Sequence, residues 1–221
     1  MTCTLNHVSS AVVKTPVCGL RERKKRRTRD ALITAAWDLF DSRGFERTTV
    51  REITDAVEVS ERTFFRYFAS KEDLVLSPLT AAADAFIDQL RLRPADERPV
   101  DALRNALHAA AGLLEPGVLA DHTDWETHRQ AVKLIESTPQ LLAAHLMIAQ
   151  RLVEGLVEVI SQREDVDPAT DRRPRIIATV FCALMTTAGS VWRGDGGIET
   201  LVQLADEYLA ELIPTFAQPW H

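Results

Sequence analysis

The sequence predicts an all-α protein, a three-helix amino-terminal unit set as a helix-turn-helix and followed by a larger helical bundle. Three observations predict it. Apolar residues recur at the 3.6-residue period along most of the chain. Helix-capping pairs open successive segments, Thr49 with Glu52 and Ser70 with Asp73. No segment shows the strict alternation of a half-buried strand. With 221 residues, 46% of them hydrophobic, the chain can bury a substantial core.

The first helix is read from Leu32, Ala36, Leu39 and Phe40, one apolar stripe with Ile33 beside it. Gly44 stops it, because glycine accepts the left-handed conformation that closes a helix, and Phe45 folds back on the last turn. Thr49 and Glu52 open the second helix, whose buried face is Val50, Ile53 and Val57. Ser60 caps a third, after the short turn a helix-turn-helix uses, and Ser70 with Asp73 caps a fourth that continues as a connector over 74–92. Further helices are expected over 100–114, 121–136, 139–162, 174–192 and 198–213, with a break at Pro116 and Gly117.

The side chains left over on the third helix carry the functional expectation. With Ile53, Val57, Val59, Phe64 and Phe68 assigned to the core, Glu61, Arg62, Thr63, Phe65, Arg66 and Tyr67 remain outside. A helix fits the major groove, where arginine pairs with guanine O6 and N7, and an aromatic or a threonine methyl meets a thymine methyl. Arg62 and Arg66 are the expected base readers, while Tyr67 and Lys71 carry donors placed for phosphates. Two adjacent aromatics outside a core are poor solvated surface, which argues against a helical bundle that merely has a basic face.

The runs FDSRGFERTTVREI and VSERTFFRYFASKEDL resemble the amino-terminal domain of TetR-type transcriptional regulators. The resemblance implies an all-helical homodimer, with this domain on operator DNA and a divergent carboxy-terminal domain that binds a small effector and dimerises. It puts Arg51, Arg62, Thr63, Phe65 and Arg66 near bases and Thr49, Tyr67 and Lys71 on phosphates. Two positions depart from the family pattern. Val57 and Glu58 replace the usual alanine and glycine of the turn, so a positive φ at Glu58 would cost about 1 kcal/mol. Phe65 stands where tyrosine is usual, which shifts any contact there toward apolar. The division expected is a flexible leader over 1–20, a DNA-binding domain over 21–74, and a ligand-binding and dimerisation domain over 75–221.

Charge follows that division. Residues 1–75 hold 14 Lys plus Arg against 11 Asp plus Glu, and the remainder holds 12 against 21, so the ends carry +3 and −9. Seven of the nine residues Arg21–Arg29 are basic, an arm that attracts phosphates and can enter a minor groove. A double-stranded operator is the expected macromolecular partner.

The carboxy-terminal bundle is expected to hold a small apolar effector among Trp125, His128, Arg129, Met147, Leu152, Phe181 and Met185. Core packing is the competing role for each apolar member. The segment AVKLIESTPQLLAAH, with the late tryptophan before a glycine-rich turn, resembles a TetR subgroup that binds acyl-CoA-like ligands, in which Arg129 or Lys133 would meet a thioester or phosphate. A drug-like aromatic fits the same residues. The helix over 175–192 is apolar nearly all round and, with Leu201, Leu204, Ala205, Tyr208, Leu209 and Leu212 of the last helix, suits a two-fold four-helix interface between copies.

Other classes find little support. No phosphate loop, dinucleotide fingerprint, nucleophile elbow or paired-carboxylate site is present, so neither an enzyme nor a bound cofactor is expected. His122 with Glu126 and Asp124 with His128 share helix faces, but lack further ligands at metal-site spacing. Cys3, Cys18 and Cys182 form no CxxC pair, and Cys182 reads as packing. No apolar run approaches the roughly 18 residues of a membrane span, which favours a cytoplasmic protein. The rival class is a helical ligand- or protein-binding dimer without sequence-specific DNA binding.

Overall fold

The computed structural model describes residues 20–114, 125–192 and 197–217, and within them every regular element is a helix. In chain order these are α1 (Leu20–Arg43), α2 (Val50–Ala56), α3 (Glu61–Phe65), α4 (Lys71–Arg91), α5 (Pro99–Leu113), α6 (Trp125–Ser137), α7 (Pro139–Arg163), α8 (Arg173–Val191) and α9 (Ile198–Ala217). The leader over 1–19, the Pro116–Gly117 break, His122, Asp124 and most of the glycine-rich turn lie outside the described residues.

One boundary differs from expectation in a way that matters. The basic run Arg21–Arg29 is no separate arm but lies within the first three turns of α1, in which Thr28 Oγ1 donates to the Lys24 carbonyl at 3.0 Å. Arginine and lysine are good helix formers, so the charge run extends the helix instead of ending it. The connector forms as expected, as the continuation of α4, a single helix of 21 residues that spans the 74/75 division.

The caps read from sequence form as hydrogen bonds. Thr49 Oγ1 accepts from the Glu52 N–H at 3.2 Å, and Glu52 Oε2 accepts from the Thr49 N–H at 2.8 Å. Ser60 Oγ accepts from the Thr63 N–H, and Ser70 Oγ from the Asp73 N–H. Gly44 closes α1 at φ 85°, its N–H donating to the Phe40 carbonyl. Glu58 takes φ 56°, the conformation glycine usually supplies at this turn.

α4 links two apolar clusters. Leu74, Val75, Leu76 and Leu79 pack with Leu32, Ile33, Ile53, Phe64 and Phe68 of the helix-turn-helix, and Ala131, Ile135, Leu141 and Ile148 of α6 and α7 join the same cluster. Phe86 and Leu90 pack with Leu103, Leu156, Ile160 and Phe181 of α5, α7 and α8. Pro78 sits inside α4, where it lacks the N–H that would bond the Leu74 carbonyl; the Ser77 hydroxyl donates to that carbonyl instead, at 2.9 Å. At the far end, Arg163 of α7 donates to the carbonyls of Arg93 and Pro94 at 2.8 and 2.7 Å and fastens the α4–α5 corner.

α8 corrects the expectation about apolar runs. It is 19 residues long with a mean hydropathy of 1.4, enough by length and composition to cross a membrane, and it is the only such helix among the described residues. Counting unbroken apolar runs missed it, because Thr186, Thr187 and the small residues interrupt the run without lowering the average much. Only 22% of that window is buried within the chain. The helix lies against α7, with Arg175 paired to Glu154 through two hydrogen bonds of 2.8 Å, and leaves Ile176 and Val191 exposed.

Candidate nucleic-acid interface and effector region

The outer surface of α3 is built by what its inner surface buries. Phe64 is fully buried and Phe68 nearly so, which turns the intervening positions outward on this short helix. Arg62 and Arg66 are exposed, and Phe65 is 54% exposed, an unusual state for a phenyl ring. Ser60, Arg62, Thr63, Phe65 and Arg66 line one open recess of about 400 Å³. It therefore combines two guanidinium donors, two hydroxyls and an aromatic ring, the mixture that base edges and thymine methyls call for.

The flanking candidates are placed as follows. Thr49 and Arg51 are exposed at the start of α2, Arg51 only loosely paired with Asp55 at 3.8 Å. Tyr67 is half-buried, its hydroxyl accepting from Arg66 at 3.2 Å while the Arg66 guanidinium lies 4.9 Å from the ring centre. Lys71 has partners within the chain: its ammonium donates to the carbonyls of Phe45 and Thr48, at 2.6 and 2.8 Å. Sequence spacing carried no sign of this, because the partners are 23 and 26 residues away.

The effector candidates do not gather around one described cavity. Phe181 is a buried member of the second apolar cluster, its ring stacked on Phe86 at 5.5 Å, and half-buried Leu152 and Met185 pack against that cluster. Met147 is 60% exposed on α7, with Leu142 and Leu146 beside it, and lines no described recess. Arg129 is paired with Glu126 at 3.0 Å, which holds that carboxyl below the usual range. The Trp125 side chain lies outside what is described. Another recess, about 430 Å³, lies between α5 and α9, with His108 and Asp206 bonded at 2.8 Å in its wall. Spacing alone cannot separate a pocket wall from a core, since both need apolar residues on one face.

His128 acquires a partner the sequence did not suggest. Burial, and secondly the charge of His145, push its pKa down to about 4, and burial pushes His145 down as well. Nδ1 of each ring is shielded from solvent. His145 stands four residues after Leu141 and three before Ile148, so the apolar stripe of α7 did carry a signal for it. Among the described residues no group of three or more His, Cys, Asp or Glu is placed to share a metal ion.

Comparison with known proteins decides the family. Residues 32–77 match the model for bacterial regulatory proteins of the tetR family, and residues 97–217 match the MftR C-terminal domain. The chain is 42% identical over 204 residues to the HTH-type transcriptional regulator TcmR of Streptomyces glaucescens, covering 91% of this chain and 90% of that one. The chain belongs to the TetR family. It is 30% identical to the HTH-type transcriptional repressor KstR2 of Mycobacterium tuberculosis, over 82% of this chain and 89% of that one. A TetR-family transcriptional regulator from Syntrophomonas wolfei shares the fold, with a TM-score of 0.54 at 20% identity over 86% of this chain and 95% of that one. As a TetR-family member the chain is a helix-turn-helix transcriptional regulator and not an enzyme.

Proposed function

We propose that the chain acts as a cytoplasmic homodimer that represses transcription from a palindromic operator and is released by a small apolar effector, acyl-CoA-like or drug-like. The observation that carries the DNA part is the recess at α3, where exposed Arg62, Phe65 and Arg66 and half-buried Thr63 stand together on a capped helix. Arg62, Thr63, Phe65 and Arg66, with Arg51, read bases in this proposal, while Thr49 and Tyr67 hold phosphates that fix register. The basic first turns of α1 add salt-dependent attraction. Repression is favoured by the relative named as a repressor.

The exposed apolar side of α8, with Ile176 and Val191, supports dimerisation through α8 and α9. A dimer places two copies of α3 on half-sites about one helical turn apart, so two weak modules act together. The domain division proposed remains 21–74 and 75–221, with α4 belonging to both cores. That shared helix supports the coupling: an effector that prefers another packing of α4, α6 and α7 also moves Leu74, Val75 and Leu76 under the helix-turn-helix. A hundredfold loss of operator affinity requires discrimination between the two packings of about 2.7 kcal/mol.

The test is a fluorescence-anisotropy titration against the DNA upstream of the chain's own gene, with random DNA as competitor. Tight binding that survives competitor supports the proposal. Binding abolished by random DNA, on this fragment and on fragments selected from the whole genome, overturns sequence-specific regulation and leaves the ligand-binding dimer.

A further inference from the structure

Lysine is an odd choice for the first residue of α4. The helix dipole puts partial positive charge at that end, where acidic residues are favoured, and Glu72 and Asp73 do follow. Nor does the end of the helix need Lys71 as a cap, since Ser70 Oγ accepts from the Asp73 N–H at 3.1 Å and Asp73 accepts from the Ala69 N–H at 2.8 Å. The ammonium instead leaves its own helix. It donates to the Phe45 carbonyl at 2.6 Å and the Thr48 carbonyl at 2.8 Å, and lies 4.1 Å from the centre of the Phe45 ring.

Those acceptors belong to one structural corner. Phe45 and Thr48 are buried, and the Thr48 hydroxyl donates to the Gly44 carbonyl at 2.9 Å, so the turn between α1 and α2 is closed on itself. The Thr48 carbonyl directly precedes Thr49, the N-cap of α2. One side chain thus joins the first turn of α4 to the start of α2. α2 and α3 are short, seven and five residues, and their attitude to α4 depends on such cross-links.

We propose that Lys71 is a positioning residue for operator recognition, gathering the carbonyls of the α1–α2 corner so that α2 and α3 keep a fixed attitude on α4, instead of supplying a phosphate contact. The proposal rests on the DNA-binding reading above. Loss of the ammonium then harms contacts that need register, those of Arg51 and the α3 recess, and spares the long-range attraction of the basic turns of α1. Specific and non-specific binding separate.

The experiment compares the full-length wild type with Lys71→Met, which keeps the stem and removes the ammonium. Both are titrated with a duplex selected by the wild type from random DNA, and with a random duplex, at several salt concentrations. The expected result is an operator affinity lowered about tenfold, with random-DNA affinity within about threefold of wild type and an unchanged slope of log K on log salt. Equal losses on both duplexes, with a slope reduced by about 0.9, mark a phosphate contact and overturn the proposal.

Lysine acetylation of the wild type, with and without operator, keeps the test open should Lys71→Met fold poorly. Slow modification of Lys71 relative to the exposed Lys24 and Lys25 in free protein supports the seat. Modification as fast as theirs, with protection appearing only on operator, overturns it. A wild type that selects no DNA counts against the DNA-binding reading alone, since the free-protein footprint still reports on the seat.

Discussion

Acidification from pH 7 to pH 5 should weaken the fold through His128. Its folded pKa is about 4 against an ordinary value of 6.5, because burial and the neighbouring His145 disfavour the charged ring. Below pH 6.5 the unfolded chain therefore binds a proton that the folded chain refuses. Stability is lost as pH falls from 6.5 toward 4 and levels off below that. With those two values the penalty is about 0.2 kcal/mol at pH 7 and about 2 kcal/mol at pH 5. His145, also depressed, adds loss of the same sign. Glu97, held below the usual carboxyl range by the Arg93 hydrogen bond, is common to both proteins compared below. The assay is urea unfolding by far-ultraviolet circular dichroism at pH 7, 6 and 5, at one protein concentration, for wild type and His128→Gln. The other histidines are common to both proteins, and of these only His145, which is coupled to His128, can change its contribution between them. The wild type should lose about 2 kcal/mol more than the variant over this range. Parallel pH dependence in the two proteins would refute the argument and place the His128 ring in solvent.

Four further outcomes are expected. Arg66→Ala should relax sequence preference at one position of each half-site, at about 1–3 kcal/mol, in a selection from randomised operators; an equal loss on all sequences would assign Arg66 to phosphate. A Cβ on Gly155 would come within 2.5 Å of Ile87 Cδ1. Gly155→Ala combined with Ile87→Val, which removes that methyl, should then be about 1 kcal/mol more stable than Gly155→Ala alone by thermal melting. Cys182, its thiol pushed up to about 11 by burial, should react far more slowly with an alkylating reagent at pH 8 than a free thiol does, as peptide mass spectrometry can resolve. Ile176→Glu, at an exposed apolar position of α8, should shift sedimentation toward monomer without loss of helix; an unchanged dimer would move the interface elsewhere.

Legibility varied with the range of the interaction concerned. Thr49 with Glu52, Ser60 with Thr63 and Ser70 with Asp73 were readable because each cap closes over three residues. The burial of Phe64 and the exposure of Arg62, Phe65 and Arg66 followed from helical period on one short helix. The effector candidates were less legible. Phe181 and Met185 satisfy a pocket pattern and a core pattern equally, and only the tertiary structure shows Phe181 buried in the cluster of Phe86, Leu103 and Leu156 with Met185 packed against it. Met147 looked inward by composition, but its position on α7 turns it outward while Leu141 and Ile148 turn in.

By itself the sequence determined the all-helical class, the order of the helices, the helix-turn-helix and the residues its third helix presents. Those properties rest on hydrogen bonds and periodicities within a few residues, where chain connectivity already fixes the distances. Tertiary structure decided how distant segments meet. It seated Lys71 on the carbonyls of Phe45 and Thr48, set His128 near His145, fastened Arg163 on the α4–α5 corner, and joined α6 and α7 to the core beneath the helix-turn-helix. Each of those contacts depends on the angle at which two helices pack. That angle is fixed by side-chain fit across the whole interface, which no short window of sequence contains.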